Sequence, residues 1–287
     1  MGQIAFWSPY SGSGQTSSMA AIAAAMGSDY HIRCLIAQTT TRESSLEHSF
    51  TRSLNTFSRT LGQVTGSRSV SGTGLDAVLR IARSGKLEGG AVKNNSQIIE
   101  KDRLDLLSSS DQKDTVKFET ASDLIRSVFD QARKYYNVIM LDLPAGDDSE
   151  VSRKLISSSD VVVVCLPQSR RSFDAYFNQK IWPSTLRDKK IVLLFSQHDP
   201  HSKYKAANVT RKYKSSKGLI VPYNTTFKDA VNDGDTKGFY KANKEVERRH
   251  PNYDFVSEVQ RAAKQLLDEI GIDSRLKRID AEERGAS

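Results

Sequence analysis

Apolar runs alternate with segments of helical periodicity along most of the chain. The apolar runs predict strands at residues 3–7, 32–37, 104–107, 138–142, 161–166, 191–196 and 219–221. The helical spacing predicts helices at residues 17–26, 75–84, 120–135, 149–157, 173–180, 227–232 and 253–270. The valine run at 161–164 has no polar alternation, which is typical of a strand buried on both faces. The pattern predicts an α/β fold: a doubly wound, mostly parallel sheet with helices on both faces.

Three polar segments interrupt this alternation. Residues 51–74 are rich in Ser, Thr and Gly, and residues 86–101 are polar around a Gly-Gly pair. Such composition is typical of loops, so we interpret both segments as surface excursions from one domain that spans residues 1–273. Residues 274–287 are charged, with Leu276 and Ile279 as large apolar side chains. We expect this tail to be disordered and too weakly apolar for direct insertion into a membrane.

The charge of the chain is positive and unevenly distributed. The net charge is +8, and residues 201–250 contain 12 Lys and Arg against 5 Asp and Glu. Such a stretch can bind DNA, anionic lipid or an acidic protein, or it can be a solvated face. No apolar run approaches the roughly 20 residues that cross a bilayer. Cys34 and Cys165 lie in predicted strands, so we interpret them as core residues of a cytoplasmic protein rather than as a disulfide or metal pair.

The segment between the first predicted strand and the first predicted helix indicates a phosphate-binding loop. Its candidate ligand-binding residues are Tyr10, Ser11, Gly12, Ser13, Gly14, Gln15, Thr16 and Ser17. A glycine turn between a strand and a helix directs backbone N–H groups and the helix dipole at an anion. In the standard loop a Lys precedes a Ser or Thr whose hydroxyl binds Mg²⁺. Here Thr16 is present and Gln15 replaces the lysine, so we expect phosphate binding without fast phosphoryl transfer.

A second motif follows the strand predicted at 138–142. That strand ends at Asp142, and Leu143-Pro144-Ala145-Gly146 comes next. A carboxylate at the carboxyl end of a parallel strand is typical of Mg²⁺ sites, and Gly146 lets the backbone approach a phosphate closely. The alternative is that Asp142 caps the following turn. The glycine loop favours a nucleotide site in which Thr16 and Asp142 bind Mg²⁺.

Together these motifs resemble those of the ParA/MinD family of deviant P-loop ATPases, over about residues 2–270. The matching stretches are residues 10–16, 142–146, 74–80 and 221–224, the last followed by Ala230, Asn232 and Gly234. The resemblance implies a P-loop NTPase fold, ATP or ADP with Mg²⁺ as cofactors, and a homodimer. It also implies that the nucleotide base lies near Gln197, Pro222 and Asn224.

The chain departs from the family at positions that matter for catalysis. In the family, lysines stand at the positions of Tyr10 and Gln15, and a water-polarising Asp ends the second strand, where this chain has Gln38. A Gln can orient water but cannot act as a base near neutral pH. Loss of two cations that offset transition-state charge raises the barrier by several kcal/mol. The catalytic candidates that remain are Asp142, through Mg²⁺ or water, and Gln38, through water.

These departures predict at most a weak ATPase, unless an arginine replaces the missing lysines. The candidates for such a replacement are Arg33, Arg42 and an arginine of a partner subunit. The altered loop is most similar to that of the TadZ and CpaE members of the family, which localise Tad-type pilus and secretion assemblies. We therefore predict a cytoplasmic positioning protein with protein partners in such an assembly, one that a partner can recruit to the cell pole or membrane.

Two other functions remain open at this point. One is a plasmid partition ATPase that binds non-specific DNA through the basic residues 203–217. Tyrosines alternate with cations there, which suits nucleic acid, but on an amphipathic helix the same tyrosines would pack inward. The other is a scaffold that binds no nucleotide, against which the retained pair of Thr16 and Asp142 argues.

Overall fold

The computed structural model describes residues 1–39, 45–51, 73–109, 115–146 and 149–279. Its strands are β1 (Gly2–Trp7), β2 (Cys34–Gln38), β3 (Gln97–Glu100), β4 (Leu104–Leu107), β5 (Val138–Asp142), β6 (Val161–Pro167), β7 (Ile191–His198) and β8 (Leu219–Pro222). Its helices are α1 (Gln15–Asp29), α2 (Ser45–Phe50), α3 (Gly74–Arg83), α4 (Gly89–Asn94), α5 (Thr115–Thr120), α6 (Ser122–Ala132), α7 (Glu150–Ser158), α8 (Arg170–Phe177), α9 (Ala206–Tyr213), α10 (Thr225–Asn232), α11 (Thr236–Asn243) and α12 (Tyr253–Glu269). Arg42 and residues 52–72 of the first expected excursion lie outside the described residues.

The strands form one eight-stranded sheet in the order β3-β4-β2-β5-β1-β6-β7-β8. Neighbouring strands are parallel, except that β3 runs antiparallel to β4. The chain builds one side of the sheet from β1 to β5 and then crosses to β6 on the other side of β1. The loop after β1 therefore lies where the direction of winding reverses, which is where open α/β sheets bind ligands.

Alternate side chains of β1 enter two separate apolar cores. Ile4 and Phe6 pack in one core with α1, α11 and α12, whereas Ala5 and Trp7 pack in the other with α3, α6 and α8. Helices thus cover both faces of the sheet, and the predicted doubly wound, mostly parallel α/β fold is confirmed. Both cysteines are buried free thiols, as expected for core residues.

Several short elements differ from the sequence prediction. Residues 86–101, expected to form a polar excursion, contain α4 and the edge strand β3. In β3, Ile99 is buried while Ile98 is 63% exposed, so the strand has little of the apolar character that identifies the central strands. The helix predicted at 120–135 corresponds to α6, which ends at Ala132, and a separate short helix that was not predicted, α5, precedes it.

The start of the predicted tail packs against the end of α1. The N–H of Ile279 donates to the carbonyl of Asp29 at 2.9 Å, and Arg278 forms an isolated β-bridge with Tyr30. The side chain of Ile279 is buried, whereas Leu276 is exposed. Residues 274–279 therefore belong to the fold, and residues 280–287 lie outside the described part of the chain.

Candidate functional site

The loop between β1 and α1 has the backbone of an anion cradle. Gly12 and Gly14 have φ values of 72° and 74°, in the left-handed region that favours glycine. Gly14 immediately precedes α1, whose first turn contains no acidic residue to neutralise the positive helix end. Ser11 lies exposed at the tip, whereas Ser13 is buried and its carbonyl accepts a hydrogen bond from the Ser196 hydroxyl.

The segment after β5 packs directly against this loop. The N–H of Gly146 donates to the carbonyl of Ser8 at 2.7 Å. Gly146 has a φ of 60°, and a Cβ at this position would lie 2.6 Å from the carbonyl oxygen of Pro9. Only glycine fits such a contact. The glycine loop and the segment after Asp142 thus lie together in the fold.

The side chain of Gln15 turns back onto the ends of β1 and β5. Its Nε2 lies 2.6 Å from Asp142 Oδ1, 2.7 Å from the Leu143 carbonyl and 3.1 Å from the Phe6 carbonyl. All three partners are acceptors, so the amide nitrogen rather than the oxygen faces them. The Oε1 atom is buried and has no donor among the described residues. Gln15 therefore contributes hydrogen bonds, and no positive charge, to the base of the loop.

Asp142 lies buried between Gln15 and Thr16. The Thr16 hydroxyl donates to Asp142 Oδ2 at 2.6 Å. Burial raises the pKa of the Asp142 carboxyl to about 6, while the hydrogen bonds from Thr16 and Gln15 lower it. In the described part of the chain, no lysine or arginine is among the groups that act on this pKa. A buried carboxylate without a counter-charge is unfavourable, and a bound cation would relieve it.

The residues around Asp142 fit a Mg²⁺ ion that accompanies a nucleotide. Thr16 and Asp142 present hydroxyl and carboxylate oxygens, the hard ligands that Mg²⁺ takes from proteins. The ion usually keeps several waters, and the donor-free Oε1 of Gln15 can accept a hydrogen bond from one of them. The predicted Mg²⁺ site is thus consistent with the chemistry of these side chains.

Gln38, the candidate for orienting water, stands beside Asp142 in the sheet register. Its Oε1 accepts a hydrogen bond from the N–H of Leu46 at 3.2 Å, near the start of α2. The next residue, Thr39, donates its N–H and hydroxyl to the Asp142 carbonyl at 3.0 and 3.2 Å. Gln38 therefore also connects the end of β2 to the start of α2.

A pocket of about 190 Å³ opens beside the first turn of α1. Its walls include Gly14, Ser17, Gln197, Pro222, Asn224 and Lys228. This volume is below the roughly 300–1,000 Å³ typical of pockets that enclose a whole ligand. It therefore suits a base or ribose, with the phosphates outside the pocket on the loop. The fold brings the three residues predicted near the base to the side of the loop.

Gln197 and Asn224, two of these three residues, are held in different ways: Gln197 has a strained backbone, and the Asn224 side chain is fixed by hydrogen bonds. Gln197 has a φ of 49°, and a Cβ added to Gly14 would lie 2.8 Å from Gln197 Nε2. A left-handed backbone at a non-glycine residue costs on the order of 1 kcal/mol, and such outliers cluster at functional sites. Asn224, in contrast, caps α10 by accepting from the N–H of Phe227 at 2.7 Å and donates to Asn252 at 2.9 Å.

Two cationic side chains near the site belong to neither sequence motif, one beside the loop and one in the wall of the pocket. The guanidinium carbon of Arg171 lies 4.3 Å from the ring centroid of Tyr10, and Lys228 lines the pocket. Arg171 stands just after β6, at the edge where parallel strands end, and this position is the signal that could have identified it. Arg33 lies at the opposite edge, before β2, with its guanidinium 4.4 Å from the Tyr135 ring centroid. Arg33 therefore cannot replace a loop lysine.

The basic residues 203–217 lie on and around α9. Tyr213 stacks on Phe177 with the ring centroids 4.2 Å apart, and its hydroxyl donates to Asp174 at 2.7 Å. Tyr204 packs beside Phe173 with the centroids 6.1 Å apart. The tyrosines thus pack inward, as the amphipathic-helix alternative predicts, while the lysines and arginines of this stretch are exposed.

This architecture has counterparts among solved structures. A ParA family ATPase from Chlorobium tepidum TLS has a TM-score of 0.70 at 14% identity, covering 91% of this chain and 98% of that one. The fold is that of the ParA and MinD ATPases. MinD from Pyrococcus horikoshii OT3, complexed with Mg-ADP, has a TM-score of 0.65 at 12% identity, with 94% and 99% of the two chains covered. A putative plasmid partition protein from Borrelia burgdorferi B31, bound to AMPPNP, has a TM-score of 0.63 at 12% identity and the same coverage.

No protein-family model matches the chain, and no curated protein matches its sequence. At identities of 12–14% the structural likeness establishes the ParA/MinD fold, and the activity has to be argued from the site itself. Within the described ranges, no helix is both long and apolar enough to cross a membrane.

Proposed function

We propose that this chain is a ParA/MinD-like protein that binds ATP or ADP with Mg²⁺ and hydrolyses ATP very slowly or not at all. The observation that carries this proposal is a loop that keeps its phosphate-binding backbone while a neutral side chain occupies its lysine position. Gly12 and Gly14 hold the left-handed turn, and Gly146 packs against the loop. Two similar structures contain AMPPNP and Mg-ADP, which supports the choice of ligand.

Each part of the site has a role in this proposal. The N–H groups of the loop and of the first turn of α1 bind the phosphates. Thr16 and Asp142 hold Mg²⁺, which supplies charge to offset the phosphates. Gln197, next to Gly14, contacts the base side of the nucleotide in the pocket.

Slow hydrolysis follows from the neutral side chains around the reacting phosphate. The amide nitrogen of Gln15 is taken up by Asp142 and two carbonyls, and Gln38 accepts a hydrogen bond from α2. Neither side chain supplies the cation or the base that lowers the barrier in fast enzymes. Nucleotide occupancy, rather than turnover, would then set the state of the protein.

The biological role that we propose is positioning of a Tad-type pilus or secretion apparatus by a homodimer that binds protein partners of that apparatus. The support is the resemblance of the altered loop to that of the TadZ and CpaE proteins. A fluorescent fusion should then form foci together with the pilus machinery at the cell pole or membrane. A uniform distribution in cells that build the pilus would contradict this role.

Calorimetric titration with ATP and ADP, with and without Mg²⁺, tests the nucleotide proposal. We expect binding that Mg²⁺ strengthens in the wild type but not in Asp142→Asn, and phosphate release no faster than background. Asp188→Asn is the matched control, since it removes the same charge from an exposed position outside the site. Absence of binding at millimolar nucleotide would favour the scaffold without nucleotide, and rapid phosphate release would contradict the slow enzyme.

The exposed cations around α9 support DNA partition as a second candidate function. Non-specific DNA binding by these side chains should weaken steeply as salt concentration rises. Replacing Lys205, Arg211 and Lys212 by Gln should reduce both the affinity and its salt dependence. A wild-type protein with no DNA affinity at low salt, with or without ATP, would exclude this candidate.

A further inference from the structure

We propose that Arg171 is a phosphate-binding residue of the nucleotide site, where it supplies a positive charge that Tyr10 and Gln15 do not. This inference rests on the proposed function, because it names the side chain that meets the phosphates of the nucleotide. It assigns a role to a residue outside both sequence motifs.

The fold holds Arg171 beside the loop. Arg171 lies in the first turn of α8, which follows β6, and β6 pairs directly with β1. Its guanidinium carbon is 4.3 Å from the centre of the Tyr10 ring. The Tyr10 carbonyl accepts a hydrogen bond from the Ser8 hydroxyl at 3.0 Å, which ties that part of the loop to the end of β1. The ring contact therefore places the guanidinium at the edge of the phosphate cradle.

The N–H donors of Arg171 make no hydrogen bond to another described residue. A guanidinium has five such donors, which lie in its plane. Within the described part of the chain Arg171 has no carboxylate partner. The preceding Arg170 differs, because its Nε pairs with Asp174 Oδ2 at 3.3 Å. Of these two adjacent arginines, Arg171 is the one prepared to bind an oxyanion through two parallel hydrogen bonds.

The negative charges of Asp142 and of bound phosphates favour a positively charged side chain at the site. Asp142 is a buried carboxylate, and the two side chains that donate hydrogen bonds to it, those of Gln15 and Thr16, are neutral. A di- or triphosphate adds further negative charge next to it, and Mg²⁺ offsets only part of that charge. Lys228 borders the pocket on the side of the base, whereas Arg171 borders the loop at Tyr10. Arg171 is therefore the better placed of the two for the phosphates.

The test compares Arg171→Ala with Arg170→Ala, which makes the same change of charge one residue away. Titrations with ATP, ADP, AMP and adenosine show how the loss of affinity in each variant depends on the number of phosphates in the ligand. We expect Arg171→Ala to weaken ATP binding by about tenfold or more, the effect of losing a charge-assisted hydrogen bond. Adenosine affinity should stay unchanged, and Arg170→Ala should match the wild type for every ligand. Arg171→Lys should recover part of the loss, since it restores the charge without the fork.

Tyr10 provides an independent check on the same geometry. Tyr10→Leu removes the ring that Arg171 contacts and should weaken ATP binding toward the level of Arg171→Ala. Thermal unfolding of every variant verifies that the fold is intact. Arg171 and Arg170 are both exposed, so neither change should impair folding.

The outcomes separate this inference from the proposed function. Wild-type protein that binds neither nucleotide nor pyrophosphate would overturn both. Wild-type protein that binds ATP while Arg171→Ala binds it equally well would overturn the role of Arg171 alone. An equal loss for ATP and adenosine would show that Arg171 only supports the shape of the loop, and an equal loss in Arg170→Ala would show a general effect of surface charge. Either of these results would also overturn the assignment.

Discussion

At the scale of single residues, Asp142 links the chemistry of the site to the stability of the fold. Its carboxyl is 2% exposed, and its burial raises the pKa to about 6. In the unfolded chain the pKa of the same carboxyl is about 4. Between these two values the folded chain binds more protons than the unfolded one. Because stability falls with rising pH wherever the folded state holds the extra proton, the ligand-free protein loses stability between about pH 4 and pH 6, and the loss is complete above that range.

Asp142→Asn should remove this pH dependence. At about pH 7 and without ligand, we expect the free energy of unfolding to rise by on the order of 2–3 kcal/mol, because the variant lacks the uncompensated charge of the Asp142 carboxylate. The gain should shrink as pH falls from about 6 to about 4, because the folded wild-type carboxyl regains its proton near the upper value and the unfolded carboxyl only near the lower one. Urea unfolding between about pH 4 and 8, without Mg²⁺ or nucleotide, measures it. The exposed Asp188→Asn variant should keep the wild-type profile, and identical profiles for all three proteins would contradict the prediction.

At the scale of elements, the contact between the loop and the segment after β5 requires a glycine. Gly146→Ala adds a Cβ 2.6 Å from the Pro9 carbonyl oxygen, at a φ of 60°. We expect it to lower the free energy of unfolding by about 2–5 kcal/mol, which combines left-handed strain of about 1–2 kcal/mol with overpacking of about 1–3 kcal/mol. Nucleotide affinity should fall as well, because the loop has to move.

Gly85→Ala is the matched control for this change. Gly85 has a φ of 73°, and a Cβ there would meet no atom within 4 Å. It should therefore lose only the strain of about 1–2 kcal/mol and leave nucleotide affinity unchanged. Thermal or urea unfolding of the two variants isolates the contribution of the contact. Equal destabilisation by both would mean that the loop yields to the added methyl group.

The junction between β7 and α9 depends on a neutral histidine. His198 is buried, its Nε2 accepts from the N–H of Ala206 at 3.1 Å, and burial lowers its pKa. Because its pKa is lower in the folded chain than in the unfolded one, neutral His198 stabilises the fold above about pH 6.5, and this stabilisation is lost as pH falls. His198→Ala should lower the free energy of unfolding by about 1 kcal/mol near neutral pH and flatten this loss in acid. The exposed His201→Ala variant should retain the wild-type pH profile of urea unfolding, and a wild-type profile in both variants would contradict the role of His198.

The sequence predicted the central elements better than the peripheral ones. β5 and β6 read as continuous apolar runs because both of their faces are covered, and their predicted bounds agree with the structure within one residue. β3 is an edge strand in which only Ile99 is buried, so its pattern is too weak to distinguish it from a loop. The large apolar side chains that α11 buries, Phe239 and Tyr240, are adjacent in the chain, so they do not show helical spacing.

The candidate site could be predicted only where its residues follow one another in the chain. The glycine loop and the Asp142–Gly146 segment are contiguous motifs, and their convergence follows from a parallel sheet. Arg171 reaches the loop and Lys228 reaches the neighbouring pocket through tertiary packing, which no local pattern records. The direction of the Gln15 amide was also hidden, because the side chain has acceptors on two strands that only the sheet register brings together.

At the scale of the whole molecule, the site joins segments that are far apart in sequence. The loop after β1, the turn after β5, the end of β7 and the start of α10 all border it. These segments come from both sides of the sheet, on either side of β1. A ligand bound there contacts both halves of the fold, so its binding free energy should stabilise the sheet as one unit.

Global unfolding with and without Mg-ATP tests this unity. Trp7, fully buried at the end of β1 directly before the loop, serves as the reporter in a Trp182→Phe background. At a free ligand concentration about 100 times the dissociation constant, the free energy of unfolding should rise by about 3 kcal/mol. Fluorescence and circular dichroism should shift together, since one cooperative transition involves the whole sheet. Asp142→Asn should show a smaller shift because it loses the Mg²⁺-dependent part of the affinity. A shift in Trp7 fluorescence without an equal shift in circular dichroism would show that the ligand stabilises the loop alone.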